Sequence, residues 1–213
     1  MKKLITEFDV LKLIRLGATE IEIDENVIIT PLAYDRIRHS NLKIIKRSSE
    51  EILKNSQASI LPKKCVIGSD HTGVKLKAVL VDELKRKSFN VIDIGTFSEE
   101  SVDYPDYAFA VAKKVLLNEV DFGILIDATG IPSAIAANKL PGIRAATCYN
   151  DFSAKSSREH NNANILVLGA KTLSNDEAKS ILNIWLTTDF LGERHQRRLD
   201  KISAVEQKLL KKF

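Results

Sequence analysis

Phe122-Gly-Ile-Leu-Ile126 runs without a break into Asp127-Ala-Thr-Gly-Ile-Pro132, and this junction decides the fold. The first stretch is apolar throughout, as a strand covered on both faces should be. The second is polar, carries a glycine and closes on a proline, a residue comfortable in the first turn of a helix. A doubly covered strand that turns at once towards a helix points to a parallel sheet.

The pattern repeats outward on both sides. Upstream, Cys65-Val-Ile-Gly68 is a short apolar strand, and Val74–Lys87 is an amphipathic helix with Leu76, Val79, Leu80 and Leu84 at helical spacing. A strand at Val91–Ile94 ends at Gly95, and a loop to Pro105 leads into a helix over Tyr107–Asn118. Downstream come a helix at Ile135–Lys139, a strand at Ile143–Thr147, a helix at Phe152–His160, a strand at Ile165–Leu168 and a helix at Asp176–Thr188. A last helix covers Glu193–Leu210. This alternation predicts a three-layer α/β/α Rossmann-like domain with a parallel five-stranded sheet over residues 63–213.

The first sixty residues differ in character. Val10–Leu16 reads as a short amphipathic helix stopped by Gly17, and Glu20–Ile23 and Val27–Ile29 as strands flanking an Asp-Glu-Asn turn. Thr30-Pro31 is a helix start, with Thr30 as cap, for a helix to Arg38 followed by an extended Leu42–Lys46. Residues 1–47 are expected to form a small α+β extension. Residues 48–62, polar and serine-rich with helical character around Glu50–Asn55, are expected to be a linker.

Composition narrows the function. With 44% hydrophobic and 28% charged residues the chain can bury a core, and its apolar runs are strand-sized, well short of the roughly 18–20 residues that cross a bilayer. Acidic residues follow Met1-Lys-Lys-Leu-Ile-Thr6 before an apolar leader can form, so a cytoplasmic protein without membrane partners is expected. Cys65 and Cys148 stand alone, with no paired spacing and no ligand cluster for zinc. The net charge is +4, and the basic excess is thickest from Arg194 to Lys212. That stretch lacks aromatic interleaving or a helix-turn-helix, so a small anion is expected there rather than nucleic acid. Arg194 and Arg198 are four apart on a predicted helix, and both guanidinium groups can reach one anion.

Ligands of parallel sheets sit at the carboxyl ends of the strands. Gly68-Ser-Asp-His-Thr-Gly73 follows the first strand, Asp103-Tyr-Pro-Asp106 lies in the loop after the second, and Asp127-Ala-Thr-Gly-Ile-Pro132 follows the third. With Ser157-Arg-Glu-His-Asn-Asn-Ala-Asn164, these polar groups are expected to gather at one rim of the sheet. Taken singly, Asp70 could cap a helix, Tyr104 could pack in a turn, and His160 could be a structural histidine. Their joint placement favours a site.

These segments, together with Ile135-Ala-Ala-Asn-Lys139 and Gly192-Glu-Arg-His195, resemble ribose-5-phosphate isomerase type B and its galactose-6-phosphate isomerase relatives, in the right order across nearly all of the chain after Lys64. The resemblance implies an aldose–ketose isomerase that works through an enediolate without a metal or other cofactor. It implies that Asp70 and His71 lie beside the sugar and phosphate, that Tyr104 lines the pocket, and that His160 assists ring opening. It further places Asn161 against the substrate, and Thr129 with the loop amides of Gly130 and Ile131 near the reacting carbons. Arg194 and Arg198 match phosphate-binding arginines. The family site is shared across a homodimer, with His160 and Asn161 arriving from the partner; whether dimers pair into tetramers stays open.

Two positions depart from the family pattern. Asp127 stands where the ribose enzyme has its catalytic cysteine, and neither Cys65 nor Cys148 can replace it. Ser133 stands where some members carry a glutamate, and the Asp-Ala opening resembles one subunit type of galactose-6-phosphate isomerase. A carboxylate, with an ordinary pKa of about 3.9, is ionised at neutral pH and can serve as the base. Pro132 replaces a usual glycine and removes one backbone donor, a change worth around 3 kcal/mol where that donor meets an oxyanion. The readings carried forward are an isomerase of ribose 5-phosphate, an isomerase of another sugar phosphate such as galactose 6-phosphate, and a catalytically weak sugar-phosphate-binding or assembly protein. Met1-Lys-Lys-Leu-Ile-Thr6 and Ile28-Ile-Thr-Pro-Leu-Ala33 also resemble N-terminal segments of ethanolamine-utilisation and bacterial-microcompartment proteins. That second resemblance implies an interaction module with a microcompartment partner; an extension that merely packs on the enzyme is the alternative.

Overall fold

Along the strand Phe122–Asp127 every residue is buried, and alternate side chains enter two different cores. Phe122, Ile124 and Ile126 point to one face and Leu125 to the other. The neighbouring strands divide in the same way, Cys65 and Ile67 against Val66, and Leu166 and Leu168 against Ile165 and Val167. Period-two side chains with both faces apolar require a layer of helices on each side.

The computed structural model describes residues 3–15, 19–23, 27–46 and 63–210. In chain order the elements are β1 (Lys3–Ile5), α1 (Glu7–Arg15), β2 (Glu20–Ile23), β3 (Val27–Ile29), α2 (Pro31–Arg38), β4 (Lys43–Lys46), β5 (Lys64–Ser69), a 3-10 turn (His71–Gly73), α3 (Val74–Arg86), β6 (Asn90–Asp93), α4 (Tyr104–Leu116), β7 (Phe122–Asp127), α5 (Ile131–Ala137), β8 (Ala145–Thr147), α6 (Asp151–Glu159), β9 (Ile165–Gly169), α7 (Asn175–Thr187) and α8 (Glu193–Leu210). They fall into two compact units, Met1–Leu61 and Pro62–Phe213.

In the larger unit the sheet order is β6-β5-β7-β9-β8, all parallel. Helices α3 and α7 cover one face through Leu76, Leu80, Leu84, Ile181, Leu182 and Trp185. On the other face lie α4 and α5, packed through Ala108, Val111, Ala112, Val115, Ala134 and Ala137. This is the expected three-layer, five-stranded architecture. Helix starts are fixed by side chains: Asn150 and Ser174 each close a capping box, a device worth about 1 kcal/mol. Two helices begin earlier than their apolar periodicity suggests. Tyr104-Pro105 and Ile131-Pro132 occupy first turns, where proline's missing N–H has no partner to lose. The fourth strand in sequence starts at Ala145, because Ile143 turns into the core behind α5.

The smaller unit holds an internal repeat that periodicity alone did not reveal. β1-α1-β2 and β3-α2-β4 have the same order, with β1 paired in parallel to β3 and β2 to β4. The strands at Glu20–Ile23 and Val27–Ile29 are therefore not partners of each other. Each half opens with an apolar pair and a threonine, Leu4-Ile-Thr6 and Ile28-Ile-Thr30. The Thr6 backbone N–H and hydroxyl both donate to Asp9, and Thr30 accepts from the Ala33 N–H. Ile5, Val10, Ile21, Ile23, Ala33 and Ile37 form the shared core. The expected stop at Gly17, the Asp-Glu-Asn turn and the linker 48–62 lie outside the described residues.

Candidate active site

At the carboxyl end of β7 the chain folds back onto its own carboxylate. Asp127 has no exposed surface. Its Oδ1 accepts from the backbone N–H groups of Thr129 at 2.8 Å and Gly130 at 2.6 Å, and its Oδ2 accepts from the Ser133 N–H at 3.0 Å. The Ile131 N–H is turned towards the Thr129 hydroxyl at 3.3 Å. The loop amides expected to face substrate carbons therefore have acceptors inside the loop, and Pro132 offers none. Gly130 makes the turn with φ +78°, where a Cβ would stand 2.8 Å from Thr147 Cγ2 and 3.1 Å from the Leu168 backbone. The Thr147 hydroxyl donates to the Gly130 carbonyl at 2.7 Å and fixes the turn from the edge strand.

Beside it, at the end of β5, Asp70 is 7% exposed and caps the 3-10 turn, its Oδ1 accepting from the Thr72 N–H and hydroxyl and from the Gly73 N–H. His71 Nδ1 accepts from the Val102 N–H at 3.2 Å, which leaves Nε2 as the protonated nitrogen. That bond ties the β6–α4 loop to this rim and brings Tyr104, 37% exposed at the head of α4, alongside. The Ser69 hydroxyl is buried here without a hydrogen-bond partner among the described residues. Lys77 of α3, 3% exposed, pairs with Asp93 at 2.5 Å beneath the Phe97 ring, and Asp93 also accepts from the Gly95 N–H. Sequence reading passed over Ser69 and Lys77. The visible signal was a lysine on the apolar stripe of α3, one residue from Leu76.

A second cluster lies at the other rim. His160 caps the end of α6, in the turn that leads to β9, and its ring stacks on His195 at the start of α8, with centroids 4.3 Å apart and planes 8° apart. His160 Nδ1 sits 3.1 Å from the Ser156 hydroxyl. Arg194 Nε donates to His195 Nε2 at 3.3 Å, and the Leu191 N–H donates to the Glu159 carbonyl at 3.1 Å, clamping the approach to α8 against α6. Arg194 and Arg198 are exposed one turn apart on α8, and Asn161 is exposed beside His160. Burial, then His160, Arg194 and Arg198, push the His195 imidazole below the usual histidine range, against the pull of Glu159.

The expectation that all four polar segments gather at one rim is corrected here. In register, Gly123 pairs with Ile165 and Asp127 with Gly169, so the turn 157–164 lies level with the start of β7 and not with its end. A segment that precedes a parallel strand must lie at the sheet's amino rim. Across the six residues of β7 the two rims are about 17 Å apart. Asp70, His71, Tyr104, Asp127, Thr129, Gly130 and Ile131 are together at the carboxyl rim. His160, Asn161, Arg194 and Arg198 are together at the amino rim.

Among the described residues no group of three His, Cys, Asp or Glu side chains is placed to hold a metal, and no helix is long and apolar enough to cross a membrane. Burial, reinforced by Asp121, pushes the Cys65 thiol up to about 12.

Comparison with known proteins gives a consistent result. A family model described as Ribose/Galactose Isomerase matches residues 65–202. Ribose-5-phosphate isomerase B of Escherichia coli (strain K12) is 46% identical over 146 residues, 68% of this chain and 98% of that protein. The structure of ribose-5-phosphate isomerase B from Clostridium thermocellum matches with a TM-score of 0.68 at 50% identity, over 68% of this chain and 99% of that one. The Mycoplasma genitalium enzyme, solved with bound ribulose-5-phosphate, matches with a TM-score of 0.66 at 43% identity, over 68% and 96%.

Proposed function

The chain belongs to the ribose/galactose isomerase family, and from that premise we propose that it interconverts the aldose and ketose forms of a sugar phosphate, with ribose 5-phosphate and ribulose 5-phosphate as the leading pair. His160 donates a proton in ring opening. Asp127 takes the proton from the carbon next to the carbonyl, and the enediolate then receives a proton on the neighbouring carbon. Oδ2 is the working oxygen, since it accepts one backbone bond where Oδ1 accepts two. The Thr129 hydroxyl, 3.5 Å from Asp127 Oδ1, and the Ile131 N–H, 3.3 Å from that hydroxyl, are the enediolate donors. Arg194 and Arg198 hold the phosphate. Asp70, His71, Tyr104 and Asn161 shape the pocket.

The observation that carries this reading is the separation of the two rims. A base and an acid about 17 Å apart cannot act on one five-carbon sugar within a single chain. Set side by side in a homodimer, the carboxyl rim of one copy and the amino rim of the other supply every group the reaction needs.

A second reading, a sugar-phosphate-binding protein with little turnover, draws support from Asp127 itself. A carboxylate with no exposed surface and three backbone donors also serves as a loop clamp. The Asp-Ala opening keeps galactose 6-phosphate as an alternative substrate. Coupled assays over a panel of aldose and ketose phosphates, with Asp127→Asn as control, separate these. Turnover lost in that variant supports the base, whereas tight binding without turnover in either protein supports the binder. We further propose residues 1–47 as an interaction module for a microcompartment partner; unchanged localisation and partners after deletion of residues 1–60 would remove that idea.

A further inference from the structure

Helix α8 turns two residues inward, His195 and Leu199, while its arginines face outward. His195 is 4% exposed, an unusual burial for an imidazole flanked by Arg194 and Arg198. Each of its edges is occupied differently. Nε2 accepts from Arg194 Nε, so the ring proton sits on Nδ1, which is buried without a partner among the described residues. The ring face lies flat on His160.

We infer that His195 is a positioning residue that joins the phosphate-binding Arg194 to the ring-opening His160. For the roles of those two residues the inference rests on the isomerase reading above. The bond to His195 engages Nε alone, and the terminal guanidinium nitrogens remain available to an anion. The stacked face fixes the plane of His160, and the Ser156 hydroxyl occupies its Nδ1, so Nε2 is the nitrogen left for the sugar. The charged groups around His195 are Arg194 and Arg198 from its own helix and Glu159 from α6. A second proton on the stacked pair would set like charges 4.3 Å apart beside two arginines. Of the two stacked rings, His160 is the one that reaches substrate. Sequence reading included His195 in a motif but gave it no role.

Two substitutions separate the two edges. His195→Phe keeps a flat ring under His160 and removes the acceptor for Arg194. His195→Gln keeps an acceptor near the Nε2 position and removes the stacking face. Inorganic phosphate is the probe for Arg194, read by calorimetry, and His160 is followed by NMR titration of its ring signals in the full chain. The expected result is a phosphate Kd raised about tenfold in the Phe variant and by less than about twofold in the Gln variant. The His160 midpoint moves in the Gln variant and holds in the Phe variant, and kcat in the Gln variant falls about tenfold. Equal changes of both readouts in both variants, or no change in either, would overturn the inference. If one variant unfolds below the assay temperature, the other still decides, since each is expected to move one readout and spare the other. If the wild-type protein turns over no sugar phosphate, the isomerase reading fails, while phosphate binding and the His160 titration still decide the role of His195.

Discussion

The two rims of the sheet solve opposite problems. At the carboxyl rim, acidic side chains are folded into the backbone: Asp127 accepts from three N–H groups and Asp70 caps a turn. At the amino rim, basic side chains stand outward on a helix and two imidazoles stack beneath them. One rim is fixed by backbone bonds to its carboxylates, and at the other a ring stack and the Leu191–Glu159 bond join the helices while the arginines stay exposed. A parallel sheet puts about 17 Å between them, so the two clusters stand apart within one chain.

The comparison breaks most sharply at Asp127. With Asp127 as base, Asp127→Asn lowers kcat by about 10²–10⁴-fold, and Asp127→Cys, which installs the residue the family resemblance implies, regains part of it. Steady-state assays of both variants check this; an undiminished Asn variant leaves Asp127 as a clamp only. The clamp has its own signature. Gly130→Ala forces a side chain into the left-handed region against Thr147 and the β9 backbone, and lowers unfolding free energy by about 1–3 kcal/mol, measured by urea titration. At the amino rim, Arg194→Ala leaves stability nearly unchanged and raises KM about tenfold, by an amount that shrinks as salt is raised.

The smallest effect concerns thiols. Cys65 lies on β5 and Cys148 just after β8, both buried and outside either cluster, so iodoacetamide leaves native activity intact. Cys65 also sets a weak alkaline dependence. Its folded pKa is raised to about 12 from 9.0, so above pH 9 the unfolded chain releases its proton first. Stability then falls between pH 9 and pH 12 and is unaffected by this group below that window, which denaturant midpoints across pH would record.

Most of the sheet was legible because buried strands write unbroken apolar runs, as in Phe122–Ile126, and amphipathic helices write three-four spacing, as in Leu76, Leu80 and Leu84. The rim assignment of His160 was not legible from motif content. It needs the direction of chain entry into β9, since a polar turn that precedes a strand looks much like one that follows it. The repeat in the smaller unit was hidden because three-residue strands such as Lys3–Ile5 and Val27–Ile29 are too short to show a period. The engagement of the loop amides could not be read either, because whether an N–H faces inward depends on the positive φ at Gly130 and not on residue type.

Subunit complementation tests the shared site most directly. Protein carrying Asp127→Asn is co-expressed with protein carrying His160→Ala, each inactive alone, and the mixture is assayed for sugar-phosphate isomerisation. In a two-fold dimer whose sites each take one rim from each copy, random pairing restores about a quarter of wild-type activity, because half the dimers carry one intact site. Activity that stays at the level of the separate variants, despite demonstrated mixed dimers, would contradict the account.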